Sequence, residues 1–99
     1  MLYGEIMRKV LIIDDEPIIS EAIQAYLTAH KYEIFLANDG ETGYAFADHY
    51  RPDLILLDIN MPREDGFSVC NRLKQNRNLS SIPIIILSVR AEEVDKIIG

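Results

Sequence analysis

Cysteine occurs once in these 99 residues, at Cys70. An internal disulfide framework is therefore excluded, and the chain suits a reducing cytosol. Free cysteine is usually a small core group, so Cys70 reads as a buried thiol rather than a nucleophile. Basic residues are also few: Lys and Arg number 10 against 16 Asp and Glu, for a formal charge of −6. Binding a nucleic-acid backbone needs clustered cations, so no nucleic-acid surface is expected in this chain, and the acids are better suited to attracting a cation. No apolar run approaches the roughly 18 to 20 residues of a membrane span, and the N-terminus lacks the basic-then-apolar plan of a signal peptide. A cytoplasmic protein without a membrane partner is expected. Internal repeats, low-complexity segments and hairpin signals are absent too.

What is present is a chain with 48% hydrophobic residues, enough for one small globular domain around one core. Met1 to Ile6 have no clear period and precede a second methionine, so residues 1–7 read as a leader or alternative start, and the domain as residues 8–99. Val10 to Ile13 (VLII) is an aliphatic run that gives way to Asp14, Asp15 and Glu16, a first buried strand followed by an acidic turn. Pro17 suits a helix start. Ile18, Ile19, Ala22, Ile23, Tyr26 and Leu27 then recur at helical spacing, which predicts a helix from Pro17 to Ala29 with one buried stripe. Glu33 to Ala37 (EIFLA) is a weaker second strand. Asn38, Asp39 and Gly40 supply turn chemistry before a helix over Glu41 to Tyr50, closed by Arg51-Pro52.

Leu54 to Leu57 form a third strand, aliphatic on both faces, that stops at Asp58. Pro62 to Gly66 (PREDG) reads as a loop. Phe67, Val69, Cys70 and Leu73 mark a helix to Gln75, and Pro83 to Leu87 (PIIIL) is a fourth strand ending at Ser88. Ala91 to Ile98 opens a fourth helix. Strands alternating with helices predict an α/β domain, a parallel sheet with helices on both faces.

Three of these strands end in a group that can bind a cation or a phosphoryl oxygen: Asp14 and Asp15 after the first, Asp58 on the third, Ser88 after the fourth. In a parallel sheet all strand C-termini share one edge, so these residues converge. Any one acid at a strand end is ordinarily a solvated turn residue, but three strand ends together with a consecutive Asp pair are harder to dismiss. Carboxylates so gathered raise one another's pKa, and either a hard divalent cation neutralises them or one stays protonated. Magnesium fits the first option, since one or two carboxylates, a carbonyl, waters and a phosphate satisfy it, and the backbone carbonyl at Asn60 could be the neutral oxygen. Such a site suits phosphoryl transfer to a carboxylate, with Asp58 as nucleophile, Asp15 holding the metal and the Ser88 hydroxyl donating to the phosphate. His30 and His49 read as surface or helix-capping groups, Glu16 as a neighbouring acid or a helix N-terminal charge, Asp65-Gly66 as a turn and helix entry, and Arg90 as a solvated charge.

The segments VLIIDDEP, DLILLDINMPREDG and IPIIILS, in this order and at these separations, resemble the receiver domain of bacterial two-component response regulators from about Arg8 to the last residue. The resemblance implies a doubly wound, flavodoxin-like sheet of strand order 2-1-3-4, with the family's fifth strand and helix missing. It implies that a sensor histidine kinase passes its phosphoryl group to Asp58, that Asp14, Asp15, Asp58 and the Asn60 carbonyl form the Mg²⁺ site, and that Ser88 is the switch hydroxyl. The ending SVRAEEVDKIIG further resembles receivers joined to winged-helix DNA-binding domains, implying transcription regulation by a domain that is absent. Two features depart from the family. Val89 replaces a usually small residue, and the lysine that pairs with the phosphate has no counterpart, since Lys96 falls in the fourth helix. Two other classes remain: an interaction module that no longer takes phosphate, and an aspartyl-phosphate hydrolase. The second is disfavoured because Asn60 stands where such enzymes carry an acid-base aspartate. The fourth strand has one open edge without charge, so self-association through that edge or the fourth helix is expected.

Overall fold

The computed structural model describes residues 7–61 and 64–87. Four strands form one sheet: β1 (Lys9–Ile13), β2 (Glu33–Ala37), β3 (Leu54–Asp58) and β4 (Ile84–Leu87). All pair in parallel in the order β2-β1-β3-β4, with Ile12 beside Leu36 and Leu56, and Leu57 beside Ile86. Parallel neighbours need crossover connections, which the three helices α1 (Pro17–Ala29), α2 (Gly40–Tyr50) and α3 (Gly66–Gln75) provide.

Alternate residues of the central strands feed two separate cores. Leu11, Ile13, Ile55 and Leu57 pack with Ala47 of α2 and with Val69 and Leu73 of α3. Val10, Ile12 and Leu56 point the other way, against Ile23 and Leu27 of α1. Aliphatic residues thus occupy both faces of β1 and β3, which explains why their sequences show no polar alternation.

Local chemistry sets the helix ends. The Asp39 carboxylate accepts the Thr42 N–H at 2.7 Å and caps α2, whose last turn closes on Arg51 in the left-handed region at φ 51°. Asp65 caps α3 by accepting the Phe67 N–H at 3.0 Å.

Two expectations need correction. The predicted single stripe of α1 is split: Ile23 and Leu27 meet the sheet, whereas Ile18 and Tyr26 are 79% and 65% exposed and Ala22 is exposed. Rows one residue apart on a helix are turned by about 100°, and only one row reaches the strip over Val10 and Ile12. The stretch read as a loop carries a short antiparallel ladder, Asn60–Met61 against Glu64–Asp65, and Gly66 already belongs to α3. Hairpin pairing of two residues has no periodicity to announce it. Residues 1–6 of the expected leader over 1–7, together with Ser88, Val89, Arg90, Lys96 and the expected fourth helix, lie outside the described residues.

Candidate functional site

Asp14 follows the last residue of β1 and Asp58 ends β3, on adjacent parallel strands. Sheet pairing extends to both positions: the Asp14 N–H donates to the Ala37 carbonyl at 2.9 Å, and Asp58 sits beside Leu87. Their carboxylates are therefore held by strand ladders rather than by loose turns. Both are buried, at 3% and 4% exposure, and Asp15 is half-buried beside them. One carboxylate oxygen from each of Asp14, Asp15 and Asp58 lies within 4.8 Å of the others. Sequence reasoning placed these three together, and the fold brings them together.

Three acids at this spacing are in electrostatic conflict. Burial pushes the Asp14 carboxyl up from 3.8 to about 6, and the charge of Asp58, a hydrogen bond shared with it and the charge of Asp15 add to the rise. One group opposes it: the Glu16 N–H donates to Asp14 Oδ1 at 2.8 Å. Glu16 is the N-cap position of α1, and its carbonyl also accepts from the backbone N–H and the hydroxyl of buried Ser20, at 3.1 and 3.2 Å. The start of α1 is thus anchored beside the acids, with Glu16 acting through its backbone; its carboxylate makes no capping hydrogen bond.

The donor set suits a hard cation. It offers carboxylate oxygens and no sulfur or imidazole, and a small ion with bonds of about 2.1 Å brings opposite ligands to about 4.2 Å apart, close to the spread here. Binding such an ion would offset both the burial and the repulsion that raise Asp14.

Other candidates fall into structural roles. His30 caps α1, its Nδ1 2.9 Å from the Tyr26 carbonyl oxygen. His49 is exposed and meets the Tyr50 ring edge-on. Cys70 is half-buried against the core on the α2 and α3 side. Asp65-Gly66 makes the expected helix entry. The Asn60 backbone lies in the short ladder opposite Asp65, two residues beyond Asp58.

Sequence reasoning missed Gly66. A Cβ on this residue would lie 2.4 Å from the Ile59 Cα and 2.8 Å from the Asp58 carbonyl oxygen. The Asp-Gly pair signalled a turn, but nothing local signals a contact reaching back to the end of β3.

Proteins similar to this chain are numerous. The family profile described as "Response regulator receiver domain" matches residues 10–98. The DNA-binding dual master transcriptional regulator RpaA of Synechocystis sp. is 41% identical over 93 residues, which cover 94% of this chain and 39% of that protein. Protein PilH of Pseudomonas aeruginosa is 36% identical over 93 residues, covering 94% of this chain and 77% of PilH. The receiver domain of sensor histidine kinase PA1611 from Pseudomonas aeruginosa, solved with magnesium coordinated in its active-site cleft, superposes with a TM-score of 0.82 at 30% identity, covering 92% of this chain and 75% of that one. The chain spans about two-fifths of the length of RpaA.

Proposed function

The chain belongs to the response regulator receiver domain family, and from that premise we propose that it accepts a phosphoryl group on Asp58 from the phosphohistidine of a sensor histidine kinase, with Mg²⁺ as cofactor. The observation that carries this reading is the buried convergence of Asp14, Asp15 and Asp58 at one edge of the sheet. As a receiver domain the protein is a signalling switch rather than an enzyme; self-catalysed transfer and loss of the phosphoryl group are the most chemistry it performs.

In the proposed step an Asp58 carboxylate oxygen attacks phosphorus. A P–O bond forms, the P–N bond to the donor imidazole breaks, and its electron pair returns to the ring nitrogen, which takes up a proton. Asp14, Asp15, Asp58 and the Asn60 backbone carbonyl are the groups proposed to hold the cation, which when bound neutralises charge on the transferring group. The β1 and β3 ladders keep Asp58 from retreating, and burial excludes bulk water from its flank, so catalysis is mainly positioning. Ser88 is proposed to contact the acyl phosphate and relay the change. The likeness to RpaA supports a transcriptional output through a further domain.

The experiment is incubation with Mg²⁺ and a small phosphodonor, followed by intact mass measurement. A gain of one phosphoryl group, lost in Asp58→Asn and in chelator, is expected. An equal gain in Asp58→Asn removes Asp58 from the account, and no gain in either favours an interaction module.

A second copy is the proposed partner of the side of β4 turned away from β3. Among the described residues this strand pairs only with β3, and Ile85 and Ile86, on opposite faces, are 50% and 38% exposed. No charged side chain interrupts residues 78–87, so the edge lacks the usual guard against strand pairing. Sedimentation should show a dimer that Ile85→Lys disperses; a monomer at all concentrations refutes it.

A further inference from the structure

The space between α3 and the end of β3 is closed to any side chain at one residue. Gly66 is the first residue of α3, and a Cβ there would stand 2.4 Å from the Ile59 Cα, 2.8 Å from the Asp58 carbonyl oxygen and 3.1 Å from the Ile59 Cβ. The two shortest contacts are to backbone atoms at and just beyond the end of β3, which cannot swing aside as a side-chain tip can. Reaching ordinary van der Waals separation would require a relative shift of about 1 Å between the helix and the Asp58–Ile59 peptide.

Conformation does not explain the glycine. Its φ lies outside the left-handed region, and at a helical position Ala is the better helix former by about 1 kcal/mol. The close approach remains as the reason for Gly66. The seat is also locked from the other side, since the Asp65 carboxylate holds the Phe67 N–H at 3.0 Å and Asp65 pairs with Asn60 in the short ladder. One tight contact therefore sets two things: the position of the peptide bearing Asp58, and the path of the backbone towards Asn60.

We infer that Gly66 is a positioning residue for the acidic cation site, where the bare backbone of α3's first turn fixes the Asp58 carboxylate against Asp14 and Asp15. The inference rests on the cation-binding reading above. Gly43 provides the contrast. A Cβ there would also be too close, at 2.5, 2.7 and 3.0 Å, but to atoms of the Ile13 side chain rather than to backbone. Gly43 governs packing of α2 on β1, whereas Gly66 governs the peptide of a proposed ligand.

Two cations separate positioning from stability. Mg²⁺ demands near-ideal octahedral geometry at short bonds, while Ca²⁺ accepts irregular shells of longer bonds. A site displaced by about 1 Å should therefore lose Mg²⁺ more than Ca²⁺, whereas a protein that is merely less stable loses no selectivity in its folded fraction. Titrating the 99-residue chain with each cation by calorimetry, Gly66→Ala should weaken Mg²⁺ binding by about tenfold or more and Ca²⁺ binding by about threefold or less. Gly43→Ala should lower the melting temperature and leave the Mg²⁺ to Ca²⁺ affinity ratio unchanged. If Gly66→Ala keeps the wild-type ratio, or if Gly43→Ala shifts it equally, the inference is overturned. Should Gly66→Ala fail to fold, the pair Asp65→Ala and Asp65→Asn gives the answer. Both remove the charge but only Asn keeps the cap, so a lower ratio in Asp65→Ala supports the seat and equal ratios overturn it. Failure of the wild type to bind either cation strikes the functional reading itself, and is distinguishable because it precedes any variant.

Discussion

Along β1 and β3 burial is nearly uniform while chemistry changes abruptly. Val10 to Ile13 and Ile55 and Leu57 are almost wholly enclosed, and so are Asp14 and Asp58 one position further along each strand. The aliphatic part is satisfied by its surroundings: each side chain meets others of its kind in one of two cores. The acidic part is not, since burial and neighbouring carboxylates raise Asp14 to about 6. Equal enclosure therefore stabilises one half of each strand and sets the other half against itself. The acids stay enclosed because the ladders beneath them are too well packed to yield, so the apolar half holds the strain that a bound cation would relieve.

The largest effect should come from damaging the apolar half. Leu57 is fully buried beside Ile13 and Ile86 in the pairing of β3. Leu57→Ala removes its contacts and leaves a cavity, at a cost of about 2–5 kcal/mol. Against a typical domain stability of roughly 5–15 kcal/mol, urea unfolding should show a large drop in midpoint. A loss below 1 kcal/mol would mean that the strand is not a rigid platform.

How much of this was legible beforehand depends on the range of the interaction. The runs VLII and LILL mark strands because full burial demands continuous aliphatic residues, the run IIIL marks the partly exposed β4, and α1 and β2 begin and end where periodicity and turn residues place them. Convergence of Asp14, Asp15 and Asp58 was legible as well, since a parallel sheet puts its C-terminal ends on one edge whatever the loops do. The α1 stripe was misjudged for a physical reason: period reveals which residues share a face, but not how wide a strip the sheet offers, and Ile18 and Tyr26 lie beyond it. Gly66 was illegible because its constraint is a backbone contact made only once α3 has docked.

A smaller effect, opposite in sign, should follow from easing the acidic half. Asp58→Asn removes one of three charges and presents an amide that can donate to Asp14. In chelator at pH 7 the variant should be more stable than wild type, by on the order of 1 kcal/mol, even though it loses the proposed phosphoacceptor. Thermal unfolding checks this. A destabilised Asp58→Asn would show that the carboxylates are better accommodated than their spacing implies.

The finest test is a pH profile, because it reads the proton that burial and neighbouring carboxylates hold on Asp14. Its folded pKa of about 6 lies above the 3.8 of an unperturbed aspartate, so between these values the folded state holds a proton that the unfolded state has released. Stability must therefore fall as pH rises through this window, and the cost is complete above about pH 6. Without divalent cations the melting temperature attributable to this group should drop by on the order of 5 °C between pH 4 and 7. Millimolar Mg²⁺ should restore it at pH 7 and do little at pH 4, where the proton already neutralises the site. Asp58→Asn should flatten the profile, since the hydrogen bond and charge that help raise Asp14 are then replaced by a donor. A wild-type curve that instead rises through this window would place the proton on no buried carboxylate, and the difference between the two halves of the strands would then be one of polarity alone.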